Sequence, residues 1–150
     1  MTQRAHPARR GPRGLASRLA APCATLVAAG AAFAYVGAVD PNEPGHYPAC
    51  PVRSLLGLDC PACGGLRGAH ALVHGEPLAA LSANALAVLA FAGFALWCLV
   101  WLAGAVRGRP GPPSLGGAGR SRAWLVGVAG VAVLAFTVVR NLPLGAALGT

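Results

Sequence analysis

The sequence predicts an all-α, polytopic membrane protein: three transmembrane helices plus a short interfacial or re-entrant helix after a Cys-rich turn. Two observations carry that prediction. Hydrophobic residues make up 55% of the 150-residue chain against 11% charged, with a mean hydropathy of +0.58, well outside the soluble globular norm. The apolar residues also collect into three runs without a charged residue. A chain this short supplies a few spans and one loop region, with no separate soluble domain.

The first run, 19–39, matches the length needed to cross a hydrocarbon core of ~30 Å. A secretory signal competes for it, because Ala32-Phe33-Ala34 resembles a cleavage site after a basic start. The apolar run is longer than a usual signal core, so a retained span is expected. The second run, 85–106, carries Trp97 and Trp101 toward its far end, where indole rings favour the headgroup level. The third, 123–139, is the shortest, flanked by Trp124 and Arg140 as interfacial anchors. Glycine and alanine pervade all three, which predicts close helix approach through small residues.

Arginine supplies all twelve basic residues. Five (Arg4, Arg9, Arg10, Arg13, Arg18) precede the first span and four (Arg107, Arg109, Arg120, Arg122) separate the second from the third. The positive-inside rule puts both segments in the cytoplasm and the loop 40–84 on the opposite face. The expected organisation is a basic cytoplasmic tail 1–18, a membrane domain 19–145 and a C-terminal tail 146–150. The net charge of +8 is split into these juxtamembrane clusters without aromatic interleaving. It therefore speaks for contact with the lipid bilayer and against nucleic acid.

Chemistry concentrates in the loop, which holds every carboxylate side chain (Asp40, Glu43, Asp59, Glu76) and three of the four histidines. Pro41, Pro44, Pro48 and Pro51 keep its first part extended or turning. The run Cys60-Pro61-Ala62-Cys63-Gly64-Gly65 reads as a tight turn, after which Leu66, Ala69, His70, Val73 and His74 share one face of a short helix ended by Gly75. Asn84 stands where it could cap the second span. Arg67 would snorkel to the headgroups or pair with Glu76 or Asp59. Cys23 and Cys98, inside spans, read as small packing residues. No serine-histidine-acid arrangement, phosphate-cradling loop or carboxylate pair supports hydrolysis or nucleotide chemistry, so an enzyme is not the favoured reading.

The order Cys50-Pro51, Gly57-Leu58, Cys60-Pro61-x-Cys63-Gly64, Arg67, Gly75 and Asn84 resembles a bacterial membrane family catalogued as domain of unknown function 2752. The Arg140-Asn141-Leu142-Pro143 end is similar to that family's tail. Ala62, Leu66 and Ala85 depart from it, standing where the family commonly has Gly, Thr and Pro. The resemblance implies the architecture and the motif residues Pro61, Gly64, Arg67 and Asn84, but no activity.

Three readings of the cysteines follow. In the first, Cys50, Cys60 and Cys63 serve structure, through a disulfide or turn packing in an oxidising compartment. The second is redox: helix-terminal N–H groups and Arg67 would lower the pKa of Cys63, with Cys60 as attacking or resolving partner. The third adds His70 and His74 to Cys60 and Cys63 as a Cys2His2 set suited to zinc or copper. The expected function is a membrane accessory or interaction protein, working with a membrane protein partner, whose Cys-rich turn is structurally fixed. The alternative is a thiol-disulfide or metal-handling factor using Cys60 and Cys63.

Overall fold

A computed structural model describes residues 14–109, 111–114 and 120–142. The tail with Arg4, Arg9, Arg10 and Arg13, part of the connection after Arg109, and the C-terminal residues from Pro143 onward lie outside these. The described residues are helical, with no strand: α1 (Leu15–Ala38), α2 (Pro51–Leu56), α3 (Gly65–Val73), α4 (Pro77–Val106) and α5 (Arg120–Arg140). Three stretches, Leu15–Ala38, Pro77–Val106 and Arg122–Arg140, are long and apolar enough to cross a membrane. The chain is thus a multi-pass membrane protein whose helices face lipid.

The helices α1, α3 and α4 pack on one another. Phe33 of α1 meets Phe91 of α4 edge to face at 5.2 Å between ring centroids. The face that α3 buries is made of Gly68, Ala69 and Ala71, while Leu66 and Val73 are exposed. The apolar face expected from helical periodicity is therefore only partly the packed one. In a bilayer, large apolar side chains lose nothing by facing lipid, and small residues bring backbones together. Gly68 illustrates this, since a Cβ there would lie 3.3 Å from the carbonyl oxygen of Ala80.

Helix α4 is two helices joined at a break. Asn84 has φ −166° and ψ 94°, outside the helical region. Its Oδ1 accepts the N–H of Ala87 at 2.9 Å, the side-chain bond of an N-cap to N3. The apolar stretch from Ala85 thus starts its own helix, and the preceding segment from Pro77 forms a short helix packed with α3. Asn84 is fully buried. Its Nδ2 donates to the carbonyls of Pro61 and Cys63, at 2.8 and 2.9 Å.

Replacing Asn84 by Leu removes a cap and orphans two carbonyls. Detergent-titrated unfolding should show a loss of about 2–4 kcal/mol, the combined cost of a lost cap and unsatisfied buried groups. An unchanged midpoint would mean that the break is not what holds the turn.

Candidate functional site

The loop leaves α1 through a turn in which the Asn42 N–H donates to Asp40 Oδ1 at 2.8 Å; this bond is the chief reason the Asp40 carboxyl sits below its usual pKa. The Tyr47 hydroxyl reaches back to the Val39 carbonyl at 3.1 Å. Cys50 then precedes α2, where Pro51 suits a first helical position because its missing N–H would have had no helical partner. Gly57 closes α2 in the left-handed region and turns the chain toward Asp59.

The turn at Cys60 is bonded both within itself and from outside. Cys63 N–H donates to Cys60 O at 3.1 Å and Gly65 N–H to Ala62 O at 2.9 Å. Gly64 has φ +78°, and a Cβ there would lie 2.5 Å from the Ala83 carbonyl oxygen. Only glycine satisfies both conditions. Asn84 grips the turn through Pro61 and Cys63, as described above. Asn141, just past α5, grips its start: Oδ1 accepts the Asp59 N–H and Nδ2 donates to the Asp59 carbonyl, both at 2.9 Å. Asn141 thus pairs with Asp59 as a neighbouring strand would.

Arg140 completes this framework. An unbroken α4 would use the Ala83 carbonyl to accept from Ala87. Asn84 has taken that N–H, and Arg140 Nη2 donates to the freed carbonyl instead, at 3.2 Å. The Arg140 residue is only 3% exposed, and its guanidinium lies 5.7 Å from the centre of the Phe136 ring. The sequence presents Arg140 as an interfacial anchor and Asn141 only as part of a tail resembling the family's, with no role of its own. The signal was present as an Arg-Asn pair directly after an apolar run, but its partners lie 57 and 82 residues away.

Three sulfurs meet on this frame. Cys60 Sγ lies 3.4 Å from Cys50 Sγ and 2.9 Å from Cys63 Sγ. All three fall within 4.8 Å of one another. Their environments differ. Cys63 is buried at 8% exposure, and burial pushes its thiol up to about 12. The backbone N–H of Arg53, helped by the neighbouring thiols of Cys60 and Cys63, brings Cys50 down to about 7. Burial thus works against the Cys63 thiolate that the redox reading expected. Desolvation outweighs the local N–H groups at Cys63, and the readily ionised thiol is Cys50, ten residues earlier.

The histidines lie elsewhere. His70 Nδ1 is 2.8 Å from the Val36 carbonyl, which can only accept, so Nδ1 carries the proton. Its Nε2 faces Asp40 Oδ1 at 3.9 Å. His74 Nδ1 donates in the same way to the His70 carbonyl at 2.9 Å. The two rings lie against each other, 4.2 Å between centroids, and neither joins the sulfur group. The structure thus brings Cys60 and Cys63 together with Cys50, and not with His70 and His74. Asp59, offered above as a partner for Arg67, lies 3.2 Å from Arg53 Nη1 instead.

A cleft of about 330 Å³ opens beside the sulfurs, lined among others by Tyr47, Cys50, Arg53, Cys63 and Arg67. Cys50 is therefore reachable from outside. Cys50 and Cys63 line this space with Cys60 within 3.4 Å of both, and three soft donors so grouped can exchange disulfides or take a soft metal ion.

No curated protein and no solved structure matches the chain. Residues 50–98, which run from Cys50 through the turn, α3 and the break at Asn84, match the model of the family described as "Protein of unknown function (DUF2752)".

Proposed function

We propose that this membrane protein is a thiol-disulfide exchange factor working at the membrane face opposite the cytoplasm, with Cys50 as the nucleophile and Cys60 as the resolving thiol. The observation that carries the reading is the sulfur row Cys50–Cys60–Cys63, standing on a turn whose shape is held without any bond between sulfurs. Asn84, Asn141 and Gly64 hold the turn through backbone groups, which supports a role for the sulfurs beyond stapling. The scaffold remains that of a fixed turn, suited to presenting the thiols to a partner protein in the membrane.

In the exchange, the Cys50 thiolate attacks one sulfur of a substrate disulfide and expels the other as a thiolate, leaving a mixed disulfide. Cys60, 3.4 Å away, loses its proton to solvent and attacks the Cys50 sulfur. A Cys50–Cys60 disulfide forms and the second substrate thiolate leaves. The substrate gains two electrons and the protein pair loses them. The reverse sequence with a dithiol restores the protein. Cys63, held protonated by burial, receives the Cys60 N–H at 3.3 Å and positions that residue. The side of the membrane rests on the arginines. Arg18 Nη1 at the start of α1 lies 2.7 Å from where a Gly108 Cβ would be, just past α4. The basic ends of these two helices thus share one face, which the positive-inside rule assigns to the cytoplasm.

A soft-metal site is the second reading, favoured by the mutual distances of the three sulfurs. Tetrahedral zinc with bonds of about 2.3 Å needs sulfurs about 3.8 Å apart. The 2.9 and 3.4 Å separations would have to open by less than an ångström.

Alkylation of Cys50 by iodoacetamide, followed site by site by mass spectrometry, should rise about tenfold per pH unit below pH 7 and level off above pH 8, because only the thiolate reacts. A midpoint near that of an ordinary thiol, ~8.5, would remove the nucleophile. Challenge with a small disulfide should make Cys60→Ser accumulate the mixed disulfide at Cys50, whereas Cys50→Ser forms none. Absence of the trapped adduct in Cys60→Ser counts against the assigned order. If the protein purifies with one equivalent of zinc or copper, lost in each single Cys→Ser variant, the metal reading replaces exchange.

A further inference from the structure

We infer that the cleft beside Cys50 selects disulfides that carry an anionic group, a carboxylate being the simplest, with Arg67 as the residue that receives it. The inference rests on the exchange reading and names the substrate class of that same site. The charges around the cleft determine it. Arg53 lines the cleft, but its Nη1 lies 3.2 Å from Asp59 Oδ1, so its charge is already met. Glu43 also lines it; its carboxylate is two-thirds exposed to water and faces His46 at 3.4 Å.

Arg67 differs from both. Among the described residues no carboxylate lies within 4.0 Å of its guanidinium. It is half-buried on α3, one turn beyond Cys63, and sits where the cleft meets a second hollow of about 210 Å³. Glu76 lines that second hollow but comes no nearer than 4.0 Å to the Arg67 guanidinium. A half-buried cation with no carboxylate partner among the described residues, lining the same cleft as Cys50, is suited to a ligand that brings its own negative charge.

The chemistry uses this charge twice. A carboxylate near the substrate disulfide docks on Arg67 and brings a sulfur to Cys50. When the substrate S–S bond breaks, the expelled thiolate departs past the same cation, which stabilises its charge. The volume of about 330 Å³ admits a small organic disulfide or the cysteine-bearing end of an extended peptide.

The test uses the full chain in lipid nanodiscs and three aliphatic disulfides of similar size: 3,3′-dithiodipropionate, a dianion; bis(2-hydroxyethyl) disulfide, neutral; and cystamine, a dication. Each rate of reaction at Cys50 is divided by its rate with free 2-mercaptoethanol. The normalised dianion rate should exceed the neutral rate about three- to tenfold at low salt, as expected for one charge acting across a solvated cleft. The ratio should fall as salt shortens the Debye length. Cystamine should be the slowest. Arg67→Gln should bring the dianion-to-neutral ratio toward one, while Arg107→Gln, at the other end of α4, retains it. Equal normalised rates in the wild-type chain, or a preference that Arg67→Gln leaves intact, overturns the inference while exchange at Cys50 stands. No reaction with any of the three overturns the exchange reading itself. Should Arg67→Gln not fold, the salt dependence in the wild-type chain decides.

Discussion

One exchange of hydrogen-bond partners underlies the arrangement of the loop. In an uninterrupted α4 the Ala87 N–H would meet the Ala83 carbonyl, and nothing would remain there to hold another segment. Asn84 takes the N–H with its own side chain, leaves the helix and turns its amide toward Pro61 and Cys63. The carbonyl it frees is used by Arg140 from the end of α5. A single non-helical residue thus joins the Cys-rich turn, the second span and the third. Polar groups released at the edge of a bilayer have no cheap alternative, so this local break becomes a long-range tie.

The same constraint explains the glycine at position 64. The turn comes so close to Ala83 that a Cβ would overlap the carbonyl to which Arg140 donates, and the backbone there is left-handed. The pair Gly64-Gly65 weakens any local helix start, which in isolation argues against a positioned thiol at Cys63. Here the rigidity comes from elsewhere. Asn84 holds Cys63 through its carbonyl, and Asn141 holds Asp59, so the two cysteines stand between clamps that belong to other helices.

How much of this could be read beforehand follows from the distance over which each cause acts. The apolar runs are local and strong, so membrane-spanning helices were expected from composition alone. The cap at Asn84 was also legible, because N-cap chemistry depends on residues three apart. The pairing of Asn141 with Asp59 was not. An amide after a span has many uses, and only the folded chain brings those two residues together. At Cys63 the helix-start N–H groups are visible in sequence, whereas burial is not. Burial is the chief reason its thiol is held protonated. Likewise, heptad-like spacing drew attention to Leu66 and Val73, but in lipid the packed surface consists of small residues.

The order of the three sulfurs then bears on what they do. Cysteines that only staple a loop pair off in twos, whereas here Cys60 lies within reach of two partners in contrasting environments. A disulfide between Cys60 and Cys63 would leave Cys50 as an accessible thiol that keeps the Arg53 N–H, the chief cause of its lowered pKa. One between Cys50 and Cys60 would leave Cys63 as a buried neutral thiol, which its surroundings favour. Each oxidised arrangement thus leaves a third cysteine in the protonation state its environment stabilises. Neither requires the backbone to move far, since the clamps on Asp59 and Cys63 act on backbone groups and leave the sulfurs to turn. A fixed frame around movable sulfurs is what exchange chemistry requires, because the attacking thiolate must line up with a disulfide whose own geometry is strict.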